Sequence, residues 1–194
     1  MENKINKTHY LKRFASCAVM LSLATVLSIF PSINAPLGGS ITIGSMVPIM
    51  LISLLYGMKW GVPVAIGYSC IQLLLGISAV ASWGLSIEVF IGCIFLDYIL
   101  AYSVLCICGL FGTKSLKNVI IGTVLSCFLR YICHFLSGLL FFGSWAMEGF
   151  SPLSWAIAYN GAYMLPETII CVVVMSSLYK VIPRIKSAFL QLFD

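Results

Sequence analysis

Charge is what this sequence has least of. Asp, Glu, Lys and Arg together make up 9% of its 194 residues, against roughly 25% in soluble domains. That scarcity excludes a water-soluble enzyme, a disordered chain and a nucleic-acid-binding domain. Long polar connections are missing too, which leaves no room for a soluble domain. There is no Gly-rich phosphate loop with its Lys-Ser/Thr end to hydrolyse ATP. Cys-x-x-Cys pairs are also absent. The eight cysteines (Cys17, Cys70, Cys93, Cys106, Cys108, Cys127, Cys133 and Cys171) all lie in apolar blocks. Cys106 and Cys108, two apart, point in different directions on a helix. Such cysteines read as small buried hydrophobes, which argues against a disulfide framework and against a metal site.

What is present is apolar: 61% of residues are hydrophobic, gathered in six blocks at 14–30, 41–56, 61–77, 86–111, 118–142 and 153–179. About 20 apolar residues span ~30 Å of hydrocarbon as a helix, so the first three blocks are short and the last three long. Lys12 and Arg13 before the first block resemble a signal peptide, but the apolar run that follows exceeds the usual h-region of about 7–15 residues. The expected fold is all-α, one integral membrane domain over 1–194 built as a six-transmembrane-helix bundle. Pro48 and Pro166 are expected to kink helices 2 and 6.

Basic residues set the orientation. Lys4, Lys7, Lys12 and Arg13 precede helix 1; Lys59 follows helix 2; Lys114 and Lys117 follow helix 4; Lys180, Arg184 and Lys186 follow helix 6. The other connections hold no Lys or Arg, only Glu88 and Glu148. This asymmetry puts both termini in the cytoplasm of a multi-pass membrane protein, with lipid around it.

Ionisable groups inside a membrane are costly and face the protein interior, so each is a candidate functional residue. Asp97, Arg130, His134 and Glu167 are the four. At ~1.5 Å per residue they and Asn160 fall in the outer half or near the midplane, at similar depths on helices 4, 5 and 6. Arg130 and His134 share one face of helix 5, and Asn160, Tyr163 and Glu167 share one face of helix 6. Tyr98 adjoins Asp97, while Trp83, Phe142, Trp145, Phe150 and Trp155 cluster near the outer ends. The pattern describes an aromatic-lidded polar pocket open to the outside.

A plainer reading stands beside it. Arg130 pairing with Glu167 or Asp97 would hold helices together, His134 would bridge helices, and the tryptophans would form an interfacial belt. Two carboxylates, Asp97 and Glu167, and the guanidinium of Arg130 leave about one net negative charge if His134 is neutral, which suits a cationic or amine-bearing aromatic ligand. A metal site would need several clustered His, Cys or carboxylate ligands, and no cofactor is called for.

Four segments carry a resemblance. They are Gly38-Gly39-Ser40-Ile41-Thr42-Ile43-Gly44-Ser45-Met46-Val47-Pro48, Leu96-Asp97-Tyr98, Arg130-Tyr131-Ile132-Cys133-His134-Phe135-Leu136-Ser137-Gly138, and Tyr159-Asn160-Gly161-Ala162-Tyr163-Met164-Leu165-Pro166-Glu167. In this order and spacing they resemble the thiamine-specific substrate-binding (S) component of energy-coupling factor vitamin transporters, the ThiT or YuaJ family. The resemblance implies a six-helix subunit without ATPase activity. It would bind thiamine from outside with high affinity and dock on one transmembrane coupling subunit and two cytoplasmic ATPases. By position the ligand-contacting carboxylate, histidine and asparagine of the family map to Asp97, His134 and Asn160, with Tyr98 beside the first.

The chain departs from the family at Asp97, where members can carry Glu. It departs again at Phe142, Met147 and Trp155, which stand where tryptophan, tryptophan and tyrosine occur; Trp145 would take over a stacking role. The expected binding set is therefore Asp97, Tyr98, His134, Phe142, Trp145, Trp155, Asn160 and Tyr163, supported by Arg130 and Glu167. Ala18 and Ser22 form a small-xxx-small pair on helix 1, the pattern such components present to the coupling subunit. Other readings are the same architecture for a different vitamin or a precursor such as hydroxymethylpyrimidine, a membrane-embedded enzyme, and an autonomous proton-coupled carrier. The carrier would be expected to show inverted repeats, and residues 1–97 and 98–194 show no convincing similarity.

Overall fold

The structure, a computed structural model, describes residues 2–30, 33–34 and 39–191. Gly38 and the side chains of Lys4, Lys7 and Lys186 lie outside the described residues. Helices α1 (Glu2–Ile29), α2 (Val47–Tyr56), α3 (Met58–Ala81), α4 (Ile87–Leu110), α5 (Leu116–Phe141), α6 (Pro152–Leu178) and α7 (Ile182–Gln191) follow one another along the chain. Between α1 and α2, strands β1 (Ile33–Asn34) and β2 (Ser40–Ile41) pair antiparallel, Ile33 opposite Ile41 and Asn34 opposite Ser40. Among the described residues, five helices are long and apolar enough to cross a membrane, and α2 is a shorter apolar helix. The chain is a multi-pass helical membrane protein.

Serine side chains start three of the helices. Ser86, Ser115 and Ser151 each accept a backbone N–H of the first turn of α4, α5 and α6, satisfying donors that a helix start leaves open. Gly57, at φ +79°, makes the abrupt α2–α3 connection, a conformation open to glycine at little cost.

Two expectations change. Within the block at 41–56 only the ten residues of Val47–Tyr56 are helical, a rise of about 15 Å, half the hydrocarbon thickness. Ile41 is committed to the hairpin, and Gly44 at φ +76° turns the chain before the helix starts. Pro48 consequently sits in the first turn of α2, where its missing N–H costs nothing, and makes no kink. Pro166 lies inside α6, which continues past it. The first and third blocks extend to Glu2–Ile29 and Met58–Ala81. A helix propagates through flanking polar residues when no breaker stops it.

The half-length α2 is the core of the bundle, with Val47 through Leu55 all buried. It is wrapped by α1, α3 and the end of α4, and glycines let the backbones touch. A Cβ on Gly61 of α3 or Gly109 of α4 would collide with Ser53 of α2, and one on Gly122 of α5 would lie 2.7 Å from the Cys108 carbonyl oxygen. Small residues at such crossings permit the close approach that replaces the hydrophobic effect inside a membrane.

Helix α4 changes its winding along its length. Residues Ile94–Leu100 form a π-helical stretch and Val104–Leu110 a 3-10 stretch. Hydroxyls from neighbouring helices lie on carbonyls there: Ser69 is 3.1 Å from Ile99 O and Ser126 3.4 Å from Leu105 O. Buried carbonyls are thereby kept partnered. Single-turn π segments occur often at functional sites, and this one carries Asp97 and Tyr98.

Outward faces are apolar, as a lipid solvent requires: Phe14, Val19, Leu74, Phe95, Phe128 and Ile169 are all exposed. Ala18 and Ser22 belong to this outer surface of α1, while Cys17, Met20 and Ala24 are buried on its other side. The Ser22 hydroxyl donates to Ala18 O at 2.9 Å, so the strip offers no unsatisfied polar group. Of the eight cysteines only Cys70 is exposed; the other seven are buried, and all eight are free.

Candidate ligand-binding site

A cavity of about 240 Å³ lies among α3, α4, α5, α6 and the hairpin. It sits toward the end of the bundle that carries residues 82–86 and 142–151, connections without Lys or Arg. Asp97, Tyr98, His134, Phe142, Trp145, Trp155, Asn160 and Tyr163 all line it, and so does Arg130. Glu167 and Met147 do not; Met147 is largely exposed.

The polar side of the cavity is one connected array. Asp97 Oδ1 is 2.7 Å from His134 Nδ1, and Arg130 Nε donates to His134 Nε2 at 3.2 Å. Because guanidinium can only donate, Nε2 must be the unprotonated nitrogen. The proton of neutral His134 therefore sits on Nδ1 and is given to Asp97. The other carboxylate oxygen, Oδ2, accepts from the Ser137 hydroxyl and from the Cys93 thiol at 3.3 Å. His134 and Ser137 thus tie this carboxylate onto α5.

Arg130 is buried, with its guanidinium 4.3 Å from the centre of the Tyr102 ring and Nη1 2.6 Å from Met46 Sδ. It makes no ion pair with Glu167 among the described residues, and the carboxylate of Asp97 is hydrogen-bonded to the neutral His134 ring. Glu167 instead holds the turn after the hairpin, its Oε1 accepting from Thr42 N at 2.7 Å and Thr42 Oγ1 at 2.6 Å. The expected count of two acids and one base in the pocket is corrected accordingly. The charges on the cavity wall are Asp97 and Arg130, which cancel, so the site is dipolar.

On α6 the expected shared face is present. Tyr163 donates to Asn160 Oδ1 at 2.7 Å and Asn160 Nδ2 donates to Ala156 O at 2.9 Å. These bonds fix which way the amide points. Gly138 makes room for it, since a Cβ there would stand 3.0 Å from Asn160 Nδ2. Gly76 likewise makes room for the Tyr98 ring and hydroxyl, which a Cβ would strike.

Aromatic rings form two groups on the wall. Trp155 and Tyr159 stack at 5.6 Å, and Tyr159 meets Tyr163 at 5.7 Å. Trp83, Phe142 and Trp145 form a second cluster with ring centres 5.1 to 5.9 Å apart. The hairpin joins the first group: Gly39 N–H donates to the Tyr159 hydroxyl at 3.1 Å, and a Cβ on Gly39 would enter the Tyr163 ring.

A family model described as Thiamine transporter protein (Thia_YuaJ) matches residues 14–187. The chain belongs to the thiamine transporter protein family. It is 30% identical to the thiamine transporter ThiT of Bacillus subtilis over 93% of this chain and 97% of that protein. A shorter stretch, 37% of this chain, is 31% identical to 33% of the thiamine transporter ThiT of Lacticaseibacillus paracasei. The fold matches the solved structure of ThiT from Listeria monocytogenes with a TM-score of 0.70 and 25% identity, covering 91% of this chain and 98% of that one. The role carried by this family is transport rather than catalysis.

Sequence reasoning passed over several residues of this family member's cavity. Tyr102 is one helical turn beyond Tyr98, Ser137 three residues beyond His134, and Cys93 four before Asp97. The i, i+3 and i, i+4 rule pointed to each. Gly39 and Ser40 had no such signal, because their place on the wall depends on the hairpin.

Proposed function

We propose that this chain is the S component of an energy-coupling factor importer and captures thiamine from outside with high affinity. The observation that carries the reading is the cavity wall: aromatic rings with Asp97, His134 and Asn160 among them. A ligand of two linked heteroaromatic rings, one cationic and one bearing an amino group, suits such a wall. Aromatic faces attract cations, and the Asp97 carboxylate accepts from an aminopyrimidine or balances a thiazolium. The dipolar pair of Asp97 and Arg130 orients the ligand, and the fixed Asn160 amide reads its heteroatoms. Membership of the thiamine transporter family supports the same ligand.

The ATP-driven step falls to partners, because this sequence holds no nucleotide-binding loop. They are one transmembrane coupling subunit and two cytoplasmic ATPases. The exposed Ala18 and Ser22 strip is the face offered to the coupling subunit, both termini are cytoplasmic, and the cavity opens outward.

Titration of the purified protein with thiamine in the absence of ATP tests this. Saturable quenching of tryptophan emission is expected, because Trp83, Trp145 and Trp155 line the cavity. If thiamine leaves the emission unchanged while hydroxymethylpyrimidine or another vitamin saturates it, the ligand assignment fails. Uptake by vesicles containing only this protein, driven by a proton gradient, would sink the importer reading.

A further inference from the structure

Glu167 is 2% exposed and does not line the cavity, yet its two oxygens are used unequally. Oε1 accepts from both the backbone and the hydroxyl of Thr42, while Oε2 is buried with no partner among the described residues. A buried polar atom without a partner calls for an explanation; an apolar side chain would fill the same space without it.

The explanation lies in what Thr42 holds. Its hydroxyl has one hydrogen, and the shorter contact, 2.6 Å to Glu167 Oε1, takes it. The Ser45 hydroxyl lies 2.8 Å from Thr42 Oγ1, and the Ser45 N–H donates to it at 3.1 Å. Thr42 Oγ1 thus donates to Glu167 and accepts from the Ser45 N–H. The turn at residues 42–46 is closed on itself and hydrogen-bonded to α6 through Thr42. Gly44, at φ +76°, gives it the required backbone.

Both ends of that turn meet residues of the ligand site. On one side it continues into β2, Ser40 and Gly39, where the hairpin meets Tyr159 and Tyr163. On the other it ends in Met46, whose sulfur lies against the guanidinium of Arg130, the donor that sets the His134 tautomer. We propose that Glu167 is a positioning residue for the ligand site, anchoring through Thr42 the turn that places both Gly39 and Arg130. The proposal rests on the reading of the cavity as the thiamine site.

The test uses the full-length protein with Thr42→Val, Thr42→Ser and Glu167→Met. Three quantities are measured on each: thiamine affinity, thermal midpoint without ligand, and amide hydrogen exchange without ligand. Thr42→Val removes one charge-assisted bond, so affinity should fall about tenfold, while Thr42→Ser stays within about twofold of the parent. Exchange should rise at residues 39–47 and not in α5 or α6. The midpoint of Thr42→Val should stay within about 3 °C. Glu167→Met should weaken binding more, and adding Thr42→Val to it should cost less than Thr42→Val costs in the parent, because the two share the Thr42–Glu167 contact.

Parent-like affinity in Thr42→Val overturns the proposal. So does a Thr42→Ser variant as weak as Thr42→Val, or exchange and midpoint changing throughout the bundle together. Should Glu167→Met not fold, the two Thr42 variants still decide. If the parent protein binds no thiamine, the ligand reading fails separately, and the local exchange at residues 39–47 still accepts or rejects the anchor.

Discussion

Around Ser53, glycines 61 and 109 bring three helix backbones together, and Gly122 does the same at Cys108. At the other end of the bundle, Gly76 and Gly138 make room not for backbone but for the tips of Tyr98 and Asn160. One residue type therefore serves two ends. In the dry half a missing Cβ is filled by main chain that cannot move. In the pocket half it is filled by side chains whose positions define the site. Packing error in the first should appear as lost fold, and in the second as lost binding.

The largest effect is expected where backbone blocks backbone. Replacing Gly109 by Leu forces a side chain into the Ser53 carbonyl. Overpacking costs about 1–3 kcal/mol in ordinary cores, and here no neighbour has a free rotamer to yield. The Gly109→Leu protein should lose most of its monodisperse peak on size exclusion and melt well below the parent. A parent-like melting midpoint would show that α2 and α4 can part without harm.

Next in size is the carboxylate of the pocket. Asp97→Asn keeps the shape and removes the charge that accepts from His134 and Ser137. Losing a charged hydrogen bond costs about 1.5–3 kcal/mol, roughly 10- to 150-fold in affinity. His134→Ala should fall short of that, since Asp97 keeps the Ser137 and Cys93 donors. Calorimetric titration with thiamine reads both. Unchanged affinity in Asp97→Asn would remove the central polar contact from the site.

How much of this was legible beforehand differs between the two halves for a physical reason. Asp97, His134 and Asn160 were readable because an ionisable or amide group in an apolar helix must turn inward, and helical spacing says which neighbours turn with it. Glu167 obeyed the same rule, but spacing does not say what waits opposite. Its partner is a backbone turn at Thr42, not the Arg130 side chain one would choose by charge. The dry half hid more. A run such as 41–56 is equally apolar whether it spans or stops halfway, and the hairpin and Gly44 that shorten it act through backbone geometry.

A smaller perturbation sharpens the contrast. A Cβ at Gly138 would stand 3.0 Å from Asn160 Nδ2, so the amide must shift by a few tenths of an ångström. Gly138→Ala should keep the fold, since only a side-chain tip yields, and weaken thiamine binding by about 2- to 12-fold, the range of one ordinary hydrogen bond. A melting loss as deep as that of Gly109→Leu would erase the distinction between the halves.

The smallest effect on the isolated protein is expected on the outer face of α1, which belongs to neither half. Ala18 and Ser22 are exposed, and the Ser22 hydroxyl is satisfied within its own helix. Replacing both by Leu therefore strikes nothing inside this chain, while Cys17, Met20 and Ala24 keep the inward face unchanged. Thiamine affinity and melting should match the parent, because the cavity is built from α3 to α6 and the hairpin. Another helix could no longer approach closely, since small residues are what permit that contact in lipid. The double variant should thus bind thiamine normally, fail to co-purify with the coupling module and fail to restore uptake in cells lacking the parent protein. Normal uptake would move the docking face elsewhere. A joint fall in affinity and stability would mean that the strip packs against this chain after all.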